Sequence, residues 1–395
     1  MPAAVGALAL GGFGIGLTEF IIAGLLPPIG ADMHIGEAAA GLLISGYALA
    51  VAVGAFAVTI ATARMRRRTV LLLLVGLFVA GNLLCALAPT YGLLLVGRVV
   101  AALCHGAFFG TGAVVAASIV GAERRNRAIA VMFGGLTVAN VAGVPLGTFV
   151  GERFGWRATF GLIVIVGVAV LIAVRTLVPP DAGGASRLDL RAEIRALFSK
   201  RVWLSLGITV FGFGGMFGAF SLLSYTLTRS TGLAIADMPW ILLIFGVGLV
   251  AGNVIGGRTA DRHRDLTIGV ALVVLVATMV TFALLADLRG VAVAMVFLMG
   301  AAGFAIAPGV QSRVLDAAPG AATLASSANI AAFNAGNALG AWIGSTALSA
   351  GFAATAPLWT GAAMTMVAVA LLGVSALTGR TRTTTGLSRP AVSQR

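Results

Sequence analysis

Long apolar runs repeat along the whole chain. Residues 71–88 read LLLLVGLFVAGNLLCALA and residues 266–286 read LTIGVALVVLVATMVTFALLA, and further stretches of the same kind follow one another with short polar interruptions. Each is close to the ~20 residues that a helix rising 1.5 Å per residue needs to cross about 30 Å of hydrocarbon. No soluble interior could hide them, since 59% of the 395 residues are hydrophobic, only 10% are charged and the mean hydropathy is +1.05. The runs therefore predict an all-α membrane protein. Spans are expected at 5–29, 38–62, 69–88, 91–119, 129–152, 158–178, 203–228, 238–257, 266–286, 290–312, 323–350 and 357–378.

Charge supports that count independently of hydropathy. With the N-terminus inside, the cytoplasmic connections hold Arg64, Arg66, Arg67 and Arg68, then Arg124, Arg125 and Arg127, then Arg258, Arg262 and Arg264, then Arg313, and the central segment and tail hold more. Apart from Arg98, which lies within a span, only Arg153, Arg157, Arg229 and Arg289 fall on the other side. The positive-inside rule then puts both termini in the cytoplasm, which requires an even number of spans, and twelve satisfies it. The net charge of +13 is accounted for by this flanking pattern, with few aromatics beside it, so no nucleic-acid partner is expected.

The composition turns polar between Pro179 and Val202. This divides the chain into an N-terminal six-helix bundle at 1–178, a linker at 179–202, a C-terminal six-helix bundle at 203–378 and a disordered basic tail at 379–395. Within the linker, LDLRAEIRALF could form a surface helix at the membrane interface. A weak repeat joins the halves. Asn140, Gly143 and Gly147 in the fifth span and Asn337, Gly340 and Gly344 in the eleventh both fit N-x2-G-x3-G, and ARMRRR and ADRHRD occupy equivalent loops, so the bundles are expected to be related by a pseudo-two-fold. Glycine, at 54 positions, suits close helix packing in lipid, and Pro145 in GVPLG lets the fifth span bend.

Few residues in the spans can carry chemistry. Glu19 is the one carboxylate well inside a span, where its charge is costly unless it is protonated, hydrated or paired, which makes it a candidate proton carrier. Arg98 is expected at a depth within about 5 Å of it, as a charge partner or as a group that snorkels to the headgroups. His105 could bond a neighbouring amide or a ligand. Asn329, Phe333 and Asn337 recur every four residues and share a helix face, and with His105 and Asn140 they are candidates to line a small-molecule cavity. Interhelical hydrogen bonding is the alternative for each amide. Cys85 and Cys104 lie within spans and predict neither a disulfide nor a metal site, and no cofactor is expected. Isolated Glu and His on different spans do not form the clustered groups an enzyme would need.

The pattern resembles the major facilitator superfamily, and within it the twelve-span drug–proton antiporters that include chloramphenicol-resistance and arabinose-efflux-type exporters. LTEF in the first span, GRVVAALCHGAFFG in the fourth, ANVAGVPLGTFVGERFGWRATF around the fifth, GGRTADRHR after the eighth and RVLDAAPGAATLASSANIAAFNAGNALGAWIG toward the eleventh carry the resemblance. It implies proton coupling through Arg98, the antiporter bend at Gly143, Pro145 and Gly147, and a conformational loop motif kept by Gly257, Asp261 and Arg262. In the first half Ala63 stands at the acidic position of that motif, leaving Arg64 and Arg66 without their usual partner. The expected function is proton-coupled efflux of a small molecule such as chloramphenicol, by a chain that can work as a monomer in membrane lipid. A sugar or metabolite exporter, or an uncoupled facilitator, is the alternative.

Overall fold

The computed structural model describes residues 1–35, 37–180, 195–234 and 237–385, and among them there is no strand. In the first half, α1 (Ala3–Phe20) and α2 (Ile22–Met33) form the first span, and α3 (Glu37–Thr62), α4 (Arg67–Leu87) and α5 (Tyr91–Ile119) the next three. The fifth span is α6 (Arg125–Val138), a π turn (Ala139–Gly143) and α7 (Val144–Phe154), and the sixth is α8 (Trp156–Leu177). The second half holds α9 (Lys200–Ser221), α10 (Leu223–Thr226), α11 (Met238–Leu284), α12 (Arg289–Ala305), α13 (Ala307–Ala317), α14 (Ala322–Ser349) and α15 (Ala356–Thr385).

Local chemistry sets several of these boundaries. The Thr90 hydroxyl accepts from the Leu93 amide at the start of α5, and the Ser199 hydroxyl accepts from the Val202 amide at the start of α9, each satisfying a helix-end donor. Between α7 and α8 the single residue Gly155, at φ 86°, turns the chain where a side chain would be strained.

Nine helices among the described residues are long and apolar enough to cross a membrane. Three of the expected crossings fall outside that measure for identifiable reasons. α11 runs for 47 residues, more than twice what one crossing needs, and is interrupted at His263 (φ −140°, ψ 65°), so it accommodates the eighth and ninth spans. The π turn divides the fifth span into pieces, and α14 is rich in amides and serines.

One expectation from composition is adjusted. The last helix runs from Ala356 to Thr385, into the segment expected to be a disordered tail. Residues 386–395 lie outside the described residues, as does most of the expected interfacial helix at 188–198. Of its end, Ala196 and Leu197 pack against Val202, Val314, Ala318, Ala321 and Ala325.

Small residues make the close approaches. A Cβ on Gly143, Gly147 or Gly151 would run into Leu17, Ile21 or Leu25, so the glycine ladder of the fifth span is the groove that receives a row of first-span side chains. In the second half the equivalent ladder meets backbone: a Cβ on Gly336 would strike the Val210 carbonyl, and one on Gly340 the Gly214 carbonyl.

The halves are tied together at the ends bearing the arginine-rich loops. Asp261, in α11, accepts from the Asn126 amide (2.7 Å) and the Arg127 amide (3.3 Å), capping the start of α6 with a negative charge. Asn126 donates to the Ala260 carbonyl (3.1 Å), Asn253 to the Ala130 carbonyl (2.6 Å), and Arg125 pairs with Asp316 at 2.5 Å. Asp316 also pairs with Arg264, and Asp265 with Arg313 at 2.5 Å. At the pseudo-equivalent place in the first half, where Ala63 offers no acceptor, the Thr59 hydroxyl meets that of Ser327 in α14 at 2.8 Å.

Candidate functional site

A narrow cavity lies between the halves, walled by side chains from both. Its wall is largely aromatic. Phe109 and Phe133 stack with centroids 5.1 Å apart on the first-half side, Phe220 and Phe245 stack at 4.3 Å on the second, and Phe213 meets Phe333 edge-on at 4.7 Å. Phe213, Phe217 and Phe220 recur at helical spacing on α9 and present one aromatic face to the cavity, a signal that periodicity in the sequence carries. The polar groups in the wall are few: Glu19, His105, Thr137, Asn140, Asn334 and Asn337. Such a surface favours a flat, mainly apolar molecule oriented by a small number of hydrogen bonds.

Glu19 is placed by the end of α1, one residue before Phe20, which also lines the cavity. Among the described residues it makes no ion pair. Arg98, from α5, is 1% exposed, so it does not snorkel. Its guanidinium donates to the Thr18 carbonyl (2.6 Å) and the Leu43 carbonyl (3.3 Å), and lies 4.2 Å from the Tyr47 ring centroid, with Nη2 unpartnered. The arginine therefore grips the backbone beside Glu19 without bonding the carboxylate. The Tyr47 hydroxyl in turn lies 3.4 Å from His105 Nδ1. Thr18 is fixed from the other side by donating to Asn82 Oδ1 (2.5 Å), while Asn82 donates to the Phe78 carbonyl (2.9 Å). A strip running Glu19, Thr18, Arg98, Tyr47, His105 thus links the cavity wall to a buried cation. Tyr47 is the member that sequence reasoning missed.

The remaining expected residues separate. Asn140, in the π turn, and Phe333 and Asn337, on α14, line the cavity, and Asn337 Oδ1 is buried without a partner. Asn329 is not in the wall. It accepts from the Thr209 hydroxyl (2.7 Å) and donates to Gln311 Oε1 (2.6 Å), and Gln311 donates to Ser326. All four side chains are buried, which makes this a satisfied interhelical network joining α9, α13 and α14. Gly143 and Gly147 serve the ladder described above. Gly257 packs on Ala130, Asp261 caps α6, and Arg262 is exposed beside it. Among the described residues no group of His, Cys, Asp and Glu could hold a metal ion.

Comparison with known proteins agrees with this architecture. The model of the Major Facilitator Superfamily matches residues 8–341. The inner membrane transport protein YdhP of Escherichia coli is 41% identical over 371 residues, covering 94% of this chain and 95% of that protein. The chloramphenicol resistance protein of Streptomyces lividans is 34% identical, again over 94% of this chain and 95% of the relative. Among solved structures, the Escherichia coli fucose:proton symporter FucP shares the fold with a TM-score of 0.75 at 14% identity, covering 94% of this chain and 98% of that one. A cavity walled by both halves of a duplicated helical chain, together with these matches, places the protein in the major facilitator superfamily, as a multi-pass membrane transporter.

Proposed function

We propose that this protein exports a small, flat, mainly apolar molecule from the cytoplasm in exchange for protons, with chloramphenicol the first substrate to test. It does so as a single chain of twelve crossings with both termini cytoplasmic, because one chain supplies both walls of the cavity. The observation that carries the reading is Glu19: the one carboxylate in a phenylalanine-rich wall, free of any ion pair among the described residues, next to a carbonyl gripped by buried Arg98. The chloramphenicol resistance protein among its relatives supports the substrate class.

Exchange requires that proton and substrate compete. A substrate hydroxyl donating to Glu19 stabilises the ionised carboxylate, whereas a proton on Glu19 removes that acceptor, so the two use the same group in turn. Arg98 holds the end of α1 in place through the Thr18 carbonyl. Rocking of the halves would release Asp261 from the start of α6 and flex the fifth span between Asn140 and Pro145, exposing the cavity to the other side. Inward proton flow then drives export.

The test is drug transport in proteoliposomes under an imposed pH gradient. Glu19→Gln is expected to abolish uphill transport while expression and monodispersity stay intact. Undiminished uphill transport by that variant overturns proton coupling at Glu19, and gradient-independent exchange by the unmodified protein assigns it to the uncoupled facilitators.

A further inference from the structure

A second cleft, backing onto the central cavity at Thr137, opens between the halves on the apolar flank formed by α1, α6 and α11. Its walls are α1 (Gly6, Ala9, Leu10, Phe13), α6 (Ala130, Val131, Gly134, Val138) and α11 (Val250, Asn253, Val254), so both halves contribute. The rim is apolar and exposed: Leu10 is 36% exposed, Val138 47% and Val254 40%. At the end nearest the arginine-rich loops the cleft is closed by Arg127 and Arg258. Those two arginines also border an adjoining polar hollow with Arg124 and Arg262, facing Glu123 and Asp261. The Asp261 carboxylate is already engaged by the backbone of α6, and none of these four arginines is in an ion pair among the described residues.

Dimensions and chemistry match one kind of occupant. From Arg127 to Val138 along α6 is about 16 Å, close to the roughly 15 Å depth of one leaflet of hydrocarbon. Glycine and alanine along the floor leave room for a chain: Gly6 has no atom within 4 Å of where a Cβ would be. Halfway along, Asn253 is 2% exposed, donates to the Ala130 carbonyl and leaves its Oδ1 without a partner. An apolar groove one leaflet long, ending in unpaired guanidinium groups on the basic face, has the charge and shape of a site for an anionic glycerophospholipid.

We propose that this cleft binds an anionic phospholipid of the cytoplasmic leaflet, with one acyl chain along α1, α6 and α11 and its phosphate between Arg127 and Arg258. The site is independent of what the central cavity carries. Native mass spectrometry of the full chain, delipidated and then offered phosphatidylglycerol or phosphatidylcholine, reads occupancy directly. Phosphatidylglycerol is expected to remain bound at least about tenfold more than phosphatidylcholine. The double variant Arg127→Gln, Arg258→Gln should lose that preference, whereas Lys200→Gln, Arg201→Gln, which removes the same charge elsewhere on the basic face, should keep it. Val254→Trp, which fills the groove and leaves the arginines in place, should lower retention of phosphatidylglycerol. Equal retention of the two lipids, equal loss in both double variants, or unchanged retention in Val254→Trp overturns the site, as does full competition by glycerol phosphate, which would show a headgroup-only anion site.

Discussion

The two halves are built on one plan, yet the polar side chains buried in them differ in kind. In the first half Glu19, Arg98, Tyr47 and His105 form a strip that includes two ionisable groups of opposite sign, with one of them in the cavity wall. In the second, Thr209, Asn329, Gln311 and Ser326 close a neutral network in which each side chain has a partner. A neutral satisfied network fixes geometry and has nothing to gain from a change of pH. A charged strip with an unpaired carboxylate is stable only conditionally, and that condition can be coupled to a proton gradient. On the proposed exchange mechanism the halves divide the work, with the second as scaffold and the first carrying the switch.

The comparison breaks most severely at Arg98. Arg98→Lys keeps the charge and loses the planar fork that spans the Thr18 and Leu43 carbonyls. Losing a charge-assisted hydrogen bond costs about 1.5–3 kcal/mol, roughly ten- to a hundredfold in uphill transport rate. A lysine that supports normal transport would show that charge alone suffices.

On stability, the glycine ladders should show the largest effect. At Gly340 an added Cβ meets the Gly214 carbonyl, which is fixed in a helix, while at Gly147 it meets the end of the Ile21 side chain, which can rotate. Gly340→Ala is therefore expected to destabilise by about 3 kcal/mol, and Gly147→Ala by about 1 kcal/mol. Thermal melts of the two purified variants read the difference, and the reverse order would contradict the packing described.

Smaller effects separate two amides on one helix. Asn329→Ala strands Thr209 and Gln311 and should cost about 1–3 kcal/mol, with the pH dependence of transport unchanged. Asn337→Ala removes a buried oxygen that already lacks a partner, so its melt should shift by less than about 0.5 kcal/mol while KM for substrate changes. If both variants altered only stability, Asn337 would have no place in the substrate site.

The smallest effect is at the loop ends. Hydrogen bonds from Arg157 and Trp156 hold the Asp32 carboxyl below its ordinary range. Burial acts to raise Asp265, but Arg313 and Arg264 together outweigh it and leave that carboxyl lowered as well. A depressed carboxylate contributes stability that is complete above its unfolded pKa, near 3.9, and is lost as pH falls through the folded value. Melting temperature should therefore hold from pH 7 to about 5 on account of these groups and decline only below about 4, with the decline shallower in Asp265→Asn.

Much of this was legible in the residues. Helix positions followed hydropathy closely because each crossing must be long and apolar, and α5 runs over the range expected, Tyr91–Ile119. Glu19 and Arg98 stood out because charge in an apolar run is costly. Tyr47 did not, since a tyrosine in such a run signals nothing until the guanidinium is seen over its ring. Periodicity put Asn329, Phe333 and Asn337 on one helix face, but it says nothing of depth along the axis. Asn329 lies outside the cavity wall, bonded between helices, while the other two reach the wall. The turn between the eighth and ninth spans was readable as a basic segment, and its reduction to a break at His263 was not.

Proton release on substrate binding tests the division between halves most directly. Purified protein in weakly buffered detergent is titrated with chloramphenicol, or with the drug to which the expressed chain confers resistance, while a pH indicator is followed. The unmodified protein should release protons on binding, Asn329→Ala should release as many, and Glu19→Gln should bind the drug and release none. Undiminished release from Glu19→Gln would place the switch elsewhere and contradict the account.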